Sequence, residues 1–501
     1  MQHLLNILIW LPILGGAFVA FTGRDDKPNV ARYLSLFIVL LTLVLCIPLV
    51  RGFDTTIDTM QFLEEMVWMP ALGIQYSLGI DGLSLLLIVL TAFTNLIVIL
   101  ATWGSITKRV GQYLASFLIM QGLLVGVFSA LDAIVFYIFW EATLIPMYLI
   151  IGIWGSDNRV YAAIKFFLYT FLGSVLMLAA FLYLGYIAGS FNIETLYAVK
   201  LGMTAQTLIF IAFFIGFAIK VPMFPVHTWL PDAHTEAPAG GSIVLAAILL
   251  KLGAYGFIRF ALPIVPDACN HYALLMVALS LIAVVYVGLI AIVQQDVKRL
   301  IAYSSISHMG FVTLGCFAIF AIAKQGHLSM AGLVLEGAIV VVVSHAFVSS
   351  AMFAGVGFIY DRMHTRQIKD FGGIVNTMPM FASFFMLFAM ANAGLPGTSG
   401  FVGEFMVILG SMNAGFWIAF WAASTLIIGA GYTLWMYKRV IFGAVANKHV
   451  EELHDLNGFE VSAYVLLALM VIGMGVYPKP MLGYVHQTVS HTLTLADKSK
   501  L

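Results

Sequence analysis

Charged residues are scarce in this chain, at 10% of 501 residues against 62% hydrophobic ones, where soluble domains carry about 25%. That shortage excludes a soluble globular protein and leaves an integral membrane one. Cysteine is nearly absent: Cys46, Cys269 and Cys316 are scattered through apolar stretches without C-x-x-C spacing, which leaves no iron–sulfur, zinc or disulfide framework. The apolar windows lack period-two alternation, so helices and not a transmembrane barrel are predicted. The first window, "HLLNILIWLPILGGAFVAF", has neither a basic segment before it nor an A-x-A-like cleavage site. It reads as a retained first helix, not a signal peptide.

What is present is a succession of apolar windows. Fourteen spans are predicted, at about 4–22, 31–50, 79–103, 111–130, 132–153, 161–187, 206–231, 240–262, 272–293, 300–322, 329–359, 378–412, 415–441 and 459–483. Numbering the connections in order, the odd ones and their flanks hold fifteen Lys and Arg, beginning with Arg24 and including Lys108, Lys165, Lys298, Arg362 and Arg366. The even ones hold Arg51, Lys200, Arg259 and Lys324. Cytoplasmic loops retain the excess of basic residues, so both termini are expected on the outer side. The 52–76 segment is too polar to span, and 443–458 reads as a polar cytoplasmic loop.

Several ionisable residues fall inside the spans, where each costs roughly 2.5–3.5 kcal/mol on insertion scales and faces a protein interior or a water-filled path. They are Glu141, Lys220, Lys251, His308, His345 and Glu404. A single mid-span histidine is as readily an interhelix hydrogen-bonder as a relay. Lys251, however, is too deep in its window to bring its ammonium to either surface. Glu141 and Lys220 carry opposite charges, so they are expected to pair. A carboxylate beside a buried lysine favours its charged form, and moving that carboxylate would switch the lysine between holding and releasing a proton.

The stretch "GFAIKVPMFPVHTWLPDAH", Gly216–His234, carries Lys220 together with Pro222, Pro225 and Pro231. Each proline removes an amide donor, so the seventh helix is expected to be broken there, with carbonyls open to water, side chains or ions. "ANAGLPGTSGFVGEF" interrupts the twelfth span close to Glu404. Two interruptions five spans apart fit two five-helix halves, spans 4–8 and 9–13, and an odd number of spans inverts the second half. That is a transporter architecture with ion sites near the midplane. The predicted segments are 1–110 (helices 1–3), 111–262 (first repeat), 263–442 (second repeat) and 443–501 (loop and helix 14). His227 and His234 could be imagined as metal ligands, but seven residues apart across Pro231 they form no helix-face pair. "AGGS" at 239–242 lacks the rest of a phosphate loop.

Three blocks, "PVHTWLPDAHTEAPAGGSIVLAAILLKLGAYGFIRF", "QQDVKRLIAYSSISHMGF" and "GLPGTSGFVGEF", closely resemble the antiporter-like subunits of respiratory complex I. The resemblance covers nearly the whole chain, weakest before residue 75 and after 440. It implies fourteen helices with inverted five-helix repeats and a role in moving protons across a membrane. Carried over by position, it implies that Glu141 and Lys220 form a modulating pair, that Lys251 is the central proton carrier, and that His308 and His345 continue the relay to a terminal Glu404. His227 and His234 match histidines of the family motif. Siblings usually have lysine at the terminal position, so Glu404 singles out one sibling type. An ending soon after span fourteen argues against the largest sibling, with its lateral helix. No cofactor is expected on this chain: no nucleotide, quinone or NADH site is legible, and FMN, iron–sulfur clusters and quinone would belong to partner subunits. Expected partners are sibling antiporter-like subunits, other membrane-arm subunits, the lipid bilayer and protons, in a bacterial inner membrane. Rival readings are a subunit of a sodium/proton antiporter or membrane-bound hydrogenase, and an inert membrane scaffold. Glu336 receives no role beyond a place near an interface or a hydrogen bond.

Overall fold

In lipid every backbone N–H and C=O must find a partner within the protein, which favours helices wherever the sequence is apolar. The computed structural model describes residues 3–23 and 25–501, so Arg24, counted above among the basic residues, lies outside the described residues. Among the described residues, 13 helices are long and apolar enough to cross a membrane. At the position of the twelfth expected span stand two shorter helices, Pro379–Asn392 and Ser399–Ser411. Polar caps start several helices where the apolar run begins: Asp81 accepts from Ser84 N, Asp132 from Ile134 N and Val135 N, and Asp296 from Arg299 N. Each satisfies amides that have no partner within the helix.

The Ala239–Ile264 helix is the axis of the bundle, with its apolar window wholly buried. The Leu328–Met363 helix packs beside it and the Val297–Lys324 helix packs on Leu328–Met363, both nearly as enclosed, whereas Leu4–Thr22, Pro28–Gly52 and Gly458–Val476 turn wide apolar faces outward. A buried helix has no lipid-facing side, so an ionisable residue on it faces only protein. This is where Lys251, His308 and His345 lie.

The loops knit together separately at the two ends of the bundle. At the odd-loop end Val297 N donates to Arg366 O and Ser156 N to Glu236 O, while Lys165 pairs with Asp232 at 2.6 Å and Arg366 with Asp296 at 3.2 Å. At the even-loop end a hairpin of strands Gln61–Met69 and Ile74–Ile80 holds the first helix through Leu5 N on Glu64 Oε1, 2.7 Å. The helix Lys479–Asp497 lies at the same end, with Thr488 Oγ1 accepting from Gly82 N at 3.1 Å.

Four expectations gain detail, and one of them, the window 459–483, needs correction. The 52–76 segment does not span, as expected, and its second half forms the first strand of that hairpin, closed by Gly73 at φ +68°. The window 459–483 is not one span: the helix Gly458–Val476 stops and another starts at Lys479, because Pro478 has no amide to continue the ladder. Span five crosses as one stretch, Ala133–Trp154, with a single turn residue, Thr143, between Ala133–Ala142 and Leu144–Trp154. Pro146 there cannot donate to the carbonyl of Ala142 four residues earlier. In span seven the helix Met203–Lys220 ends at Lys220 and Trp229–Glu236 follows. Pro222 and Pro225 fall in the irregular stretch, whereas Pro231 sits in the first turn of the second helix, where no donor is required.

Candidate functional site

The Ala239–Ile264 helix does not keep α-helical spacing throughout. Wider π turns occupy Leu245–Leu249 and Phe257–Ala261, on either side of Lys251. Such turns alter which carbonyls the ladder uses, and the carbonyl of Ala246, inside the first, accepts from Lys251 Nζ at 2.7 Å. The same Nζ lies 2.6 Å from His345 Nδ1 on the Leu328–Met363 helix. An ammonium has no lone pair, so in the charged state of Lys251 the Nδ1 of His345 accepts and its proton resides on Nε2.

That Nε2 has no hydrogen-bond partner. Beside it is a cavity of about 20 Å³ lined by His308, Ser344, His345, Asn392 and Glu404 among others, a volume about right for one water. Across it the rings of His345 and His308 are 5.9 Å apart. His308 Nδ1 is 2.6 Å from Glu404 Oε1, and its Nε2 is 3.2 Å from the hydroxyl of Tyr432. All four ionisable residues are buried. Lys251, His345, His308 and Glu404 therefore form a linear series of exchangeable groups with one gap of a single water's size.

Glu141 and Lys220 stand differently. The expected ion pair is not made: Lys220 Nζ and Glu141 Oε1 are buried and neither has a hydrogen-bond partner. Lys220 Nζ instead lies 5.5 Å from the ring centre of Trp140 and 5.6 Å from that of Phe166, held by the negative faces of the rings. Lys220 is the last residue of its helix, so no continuing turn anchors it on its C-terminal side, whereas the helix of Glu141 resumes at Leu144 after a turn at Thr143. The two charges remain within electrostatic reach of each other.

Two glycines set the spacing of these elements. A Cβ on Gly253 would lie 2.5 Å from Phe217 O and 2.7 Å from Val221 N, so its absence lets the Lys251 helix abut the break that follows Lys220. A Cβ on Gly403 would lie 2.6 Å from Val341 N. There its absence brings the Glu404 helix onto the helix of His345.

His227 and His234 are buried but join neither group by hydrogen bonds. His227 stacks on Phe224, its Nδ1 unpartnered; both nitrogens of His234 are unpartnered, and its ring lies parallel to Phe353 at 4.3 Å. His234 is within electrostatic reach of both Lys298 and Lys251. Among the described residues no group of three His, Cys, Asp or Glu is placed to hold a metal ion.

Sequence reasoning missed two participants. Lys298, counted as a loop charge, is buried with Nζ donating to Ala237 O, and it lines a cavity of about 260 Å³ at the odd-loop end with Glu236, Asp361 and Arg366. Its signal was a basic residue just before an apolar window. Tyr432 carries no charge, so nothing in its window set it apart. Glu336 accepts a role as partner of His486 Nδ1 at 2.7 Å, tying the Lys479–Asp497 helix to the bundle.

Residues 130–429 match the family described as NADH:quinone oxidoreductase/Mrp antiporter, TM. The chain is 45% identical to NADH-quinone oxidoreductase subunit M of Rhodobacter capsulatus, over 98% of this chain and 96% of that one. It is 41% identical to NADH-ubiquinone oxidoreductase chain 4 of Marchantia polymorpha, over 97% and 96%. Among solved structures, a chain of respiratory complex I from Thermus thermophilus with bound NADH superposes with a TM-score of 0.88 at 30% identity, covering 99% of this chain and 100% of that one. A chain of the Mrp complex from Dietzia sp. DQ12-45-1b superposes with a TM-score of 0.83 at 19% identity, covering 100% and 98%. This last likeness speaks to the fold alone.

Proposed function

The chain belongs to the NADH:quinone oxidoreductase/Mrp antiporter membrane-subunit family, and from that membership we propose that it is the subunit M type of antiporter-like subunit in the membrane arm of complex I, moving protons while partner subunits carry electrons from NADH to quinone. FMN, iron–sulfur clusters and quinone belong to those partners; this chain performs no redox chemistry. Its neighbours are sibling antiporter-like subunits in a bacterial inner membrane. The excess of basic residues on the odd loops supports that end as cytoplasmic and the termini as periplasmic. Residues 111–262 and 263–442 act as two inverted five-helix repeats, with 1–110 and 443–501 flanking them.

The observation that carries the reading is the buried series Lys251, His345, His308 and Glu404. Lys251 gives its proton to His345 Nδ1, and His345 releases the proton on Nε2 into the 20 Å³ cavity. A water there takes that proton and gives one to Nε2 of His308 when the Tyr432 hydroxyl turns away from it, and His308 passes its Nδ1 proton on to Glu404. Each donor is left with a lone pair and each acceptor with a proton, so no charge is lost along the way. The cavity at Lys298, with His234 beyond it, serves as the proton supply to Lys251. Glu141 and Lys220 modulate the series through their field. Moving one charge against a membrane potential costs about 2.3 kcal/mol per 100 mV, and titratable groups at intermediate depth divide that climb into steps.

The test is proton uptake by proteoliposomes containing the purified complex, driven either by NADH or by an imposed sodium gradient. We expect NADH-driven uptake in sodium-free medium and co-purification of the chain with NADH-oxidising subunits. Uptake driven only by sodium, with no such subunits attached, would reassign the chain to an antiporter.

A further inference from the structure

The Lys251 helix carries a second buried charge toward its even-loop end. Arg259 lies eight residues after Lys251, about 12 Å further along at 1.5 Å per residue. Its guanidinium is 2.6 Å from Asp81 Oδ1, and both side chains are buried. Arg259 Nη2 is 3.3 Å from Ser84 Oγ, and Nε is 3.3 Å from the hydroxyl of Tyr255, over whose ring the guanidinium lies at 5.3 Å. Tyr255 is one turn from Lys251, and its hydroxyl also reaches Ser84 Oγ and Phe128 O, both at 3.2 Å.

Outside this pair is a cavity of about 470 Å³, lined by Asp81, Arg259, Glu194, Thr488, His491 and Lys498 among others. Inside it are the hydroxyls of Tyr255, one helical turn after Lys251, and Ser84. Lys251 Nζ itself points the other way, to Ala246 O and His345. The ion pair thus separates a polar cavity at the even-loop end from hydroxyls within a turn or two of the central lysine.

We infer that Arg259, held by Asp81, is an electrostatic plug that stops protons passing between the even-loop cavity and Lys251. The inference rests on the proposed role of Lys251 as proton carrier. The chemistry suits a barrier and not a relay. A guanidinium keeps its proton at all accessible pH, so it cannot receive one from a neighbouring hydroxyl and pass another on. Its fixed positive charge repels hydronium, as arginine does in pores that exclude protons. Asp81 balances that charge in a site that would otherwise be costly, and being the N-cap of the next helix it does not move away. A series open to both ends at once would short-circuit the membrane; the plug closes this end while the route through His345 and Glu404 works.

The test is passive proton leak, which needs no turnover. Proteoliposomes holding the intact complex without NADH are given a potassium diffusion potential, and a trapped dye follows internal pH. In Arg259→Gln we expect the leak to rise at least about tenfold, while NADH oxidation persists with a reduced proton yield. Arg259→Gln combined with Asp81→Asn removes both charges together and spares the fold an unpaired carboxylate; the same leak is expected. Adding Lys251→Met to that pair should abolish it. An assembled complex in which neither Arg259→Gln nor the double variant leaks overturns the plug. A leak that persists after Lys251→Met keeps the plug but contradicts the role of Lys251 as the carrier behind it.

Discussion

Lys220 and Lys251 are both buried in the centre of the bundle, yet their surroundings have little in common. Lys251 donates to a carbonyl and a histidine, and through that histidine stands in line with His308 and Glu404. Lys220 has aromatic faces on two sides and no hydrogen-bond partner, and Glu141 likewise keeps one oxygen unpartnered. A proton needs hydrogen bonds to move along, whereas a charge needs none to be felt: at an effective permittivity of about 20, two charges 8–16 Å apart still interact by about 1–2 kcal/mol. In the function proposed above, the first region therefore conducts and the second biases conduction.

The sharpest way to break this comparison is to cut the series in the middle. His345→Leu removes the acceptor of Lys251 while retaining an apolar fit, and proton uptake per unit time in reconstituted complex should fall by roughly 10²-fold, the scale on which a positioned acid or base acts. A fall no larger than that of Lys220→Met would erase the distinction. Lys220→Met should slow uptake by about tenfold, the equivalent of ~1.4 kcal/mol, because it removes a field and not a step. An uptake rate unchanged in that variant would leave Lys220 without a role. The smallest effect is expected at Tyr432→Phe. It deletes one long 3.2 Å hydrogen bond to His308, at the weak end of the scale and worth about 0.5 kcal/mol, so uptake should change by about twofold in the same assay. A loss as large as that of His345→Leu would place Tyr432 in the conducting line.

The charged members of both regions could be read from the sequence, because an ionisable side chain in an apolar window is costly and stands out. Their connections could not. Lys251 and His345 are 94 residues apart and His308 and Glu404 are 96, and no local pattern records which helices face one another. The Glu141–Lys220 pair was expected from charge alone, and charge does not say where Lys220 points once its helix has ended. Arg259 and Lys298 were read as loop residues because they lie near the ends of apolar windows, where a basic residue usually reaches water. The spans themselves were legible from hydropathy. The strand at Gln61–Met69 and the helix Lys479–Asp497 were not, since both mix polar and apolar residues and average out in a window built to find membrane helices.

The most direct measurement of the central claim is proton uptake per NADH oxidised, in proteoliposomes of fully assembled complex, for Lys251→Met beside Lys220→Met. Methionine removes a buried charge without adding one, so the complex should assemble. The account predicts that Lys251→Met abolishes transfer through this subunit and lowers the protons moved per NADH, while Lys220→Met lowers the rate and leaves a residual path. Lys251→Met complex with wild-type rate and stoichiometry would contradict it, and would leave this chain as a scaffold through which no proton passes.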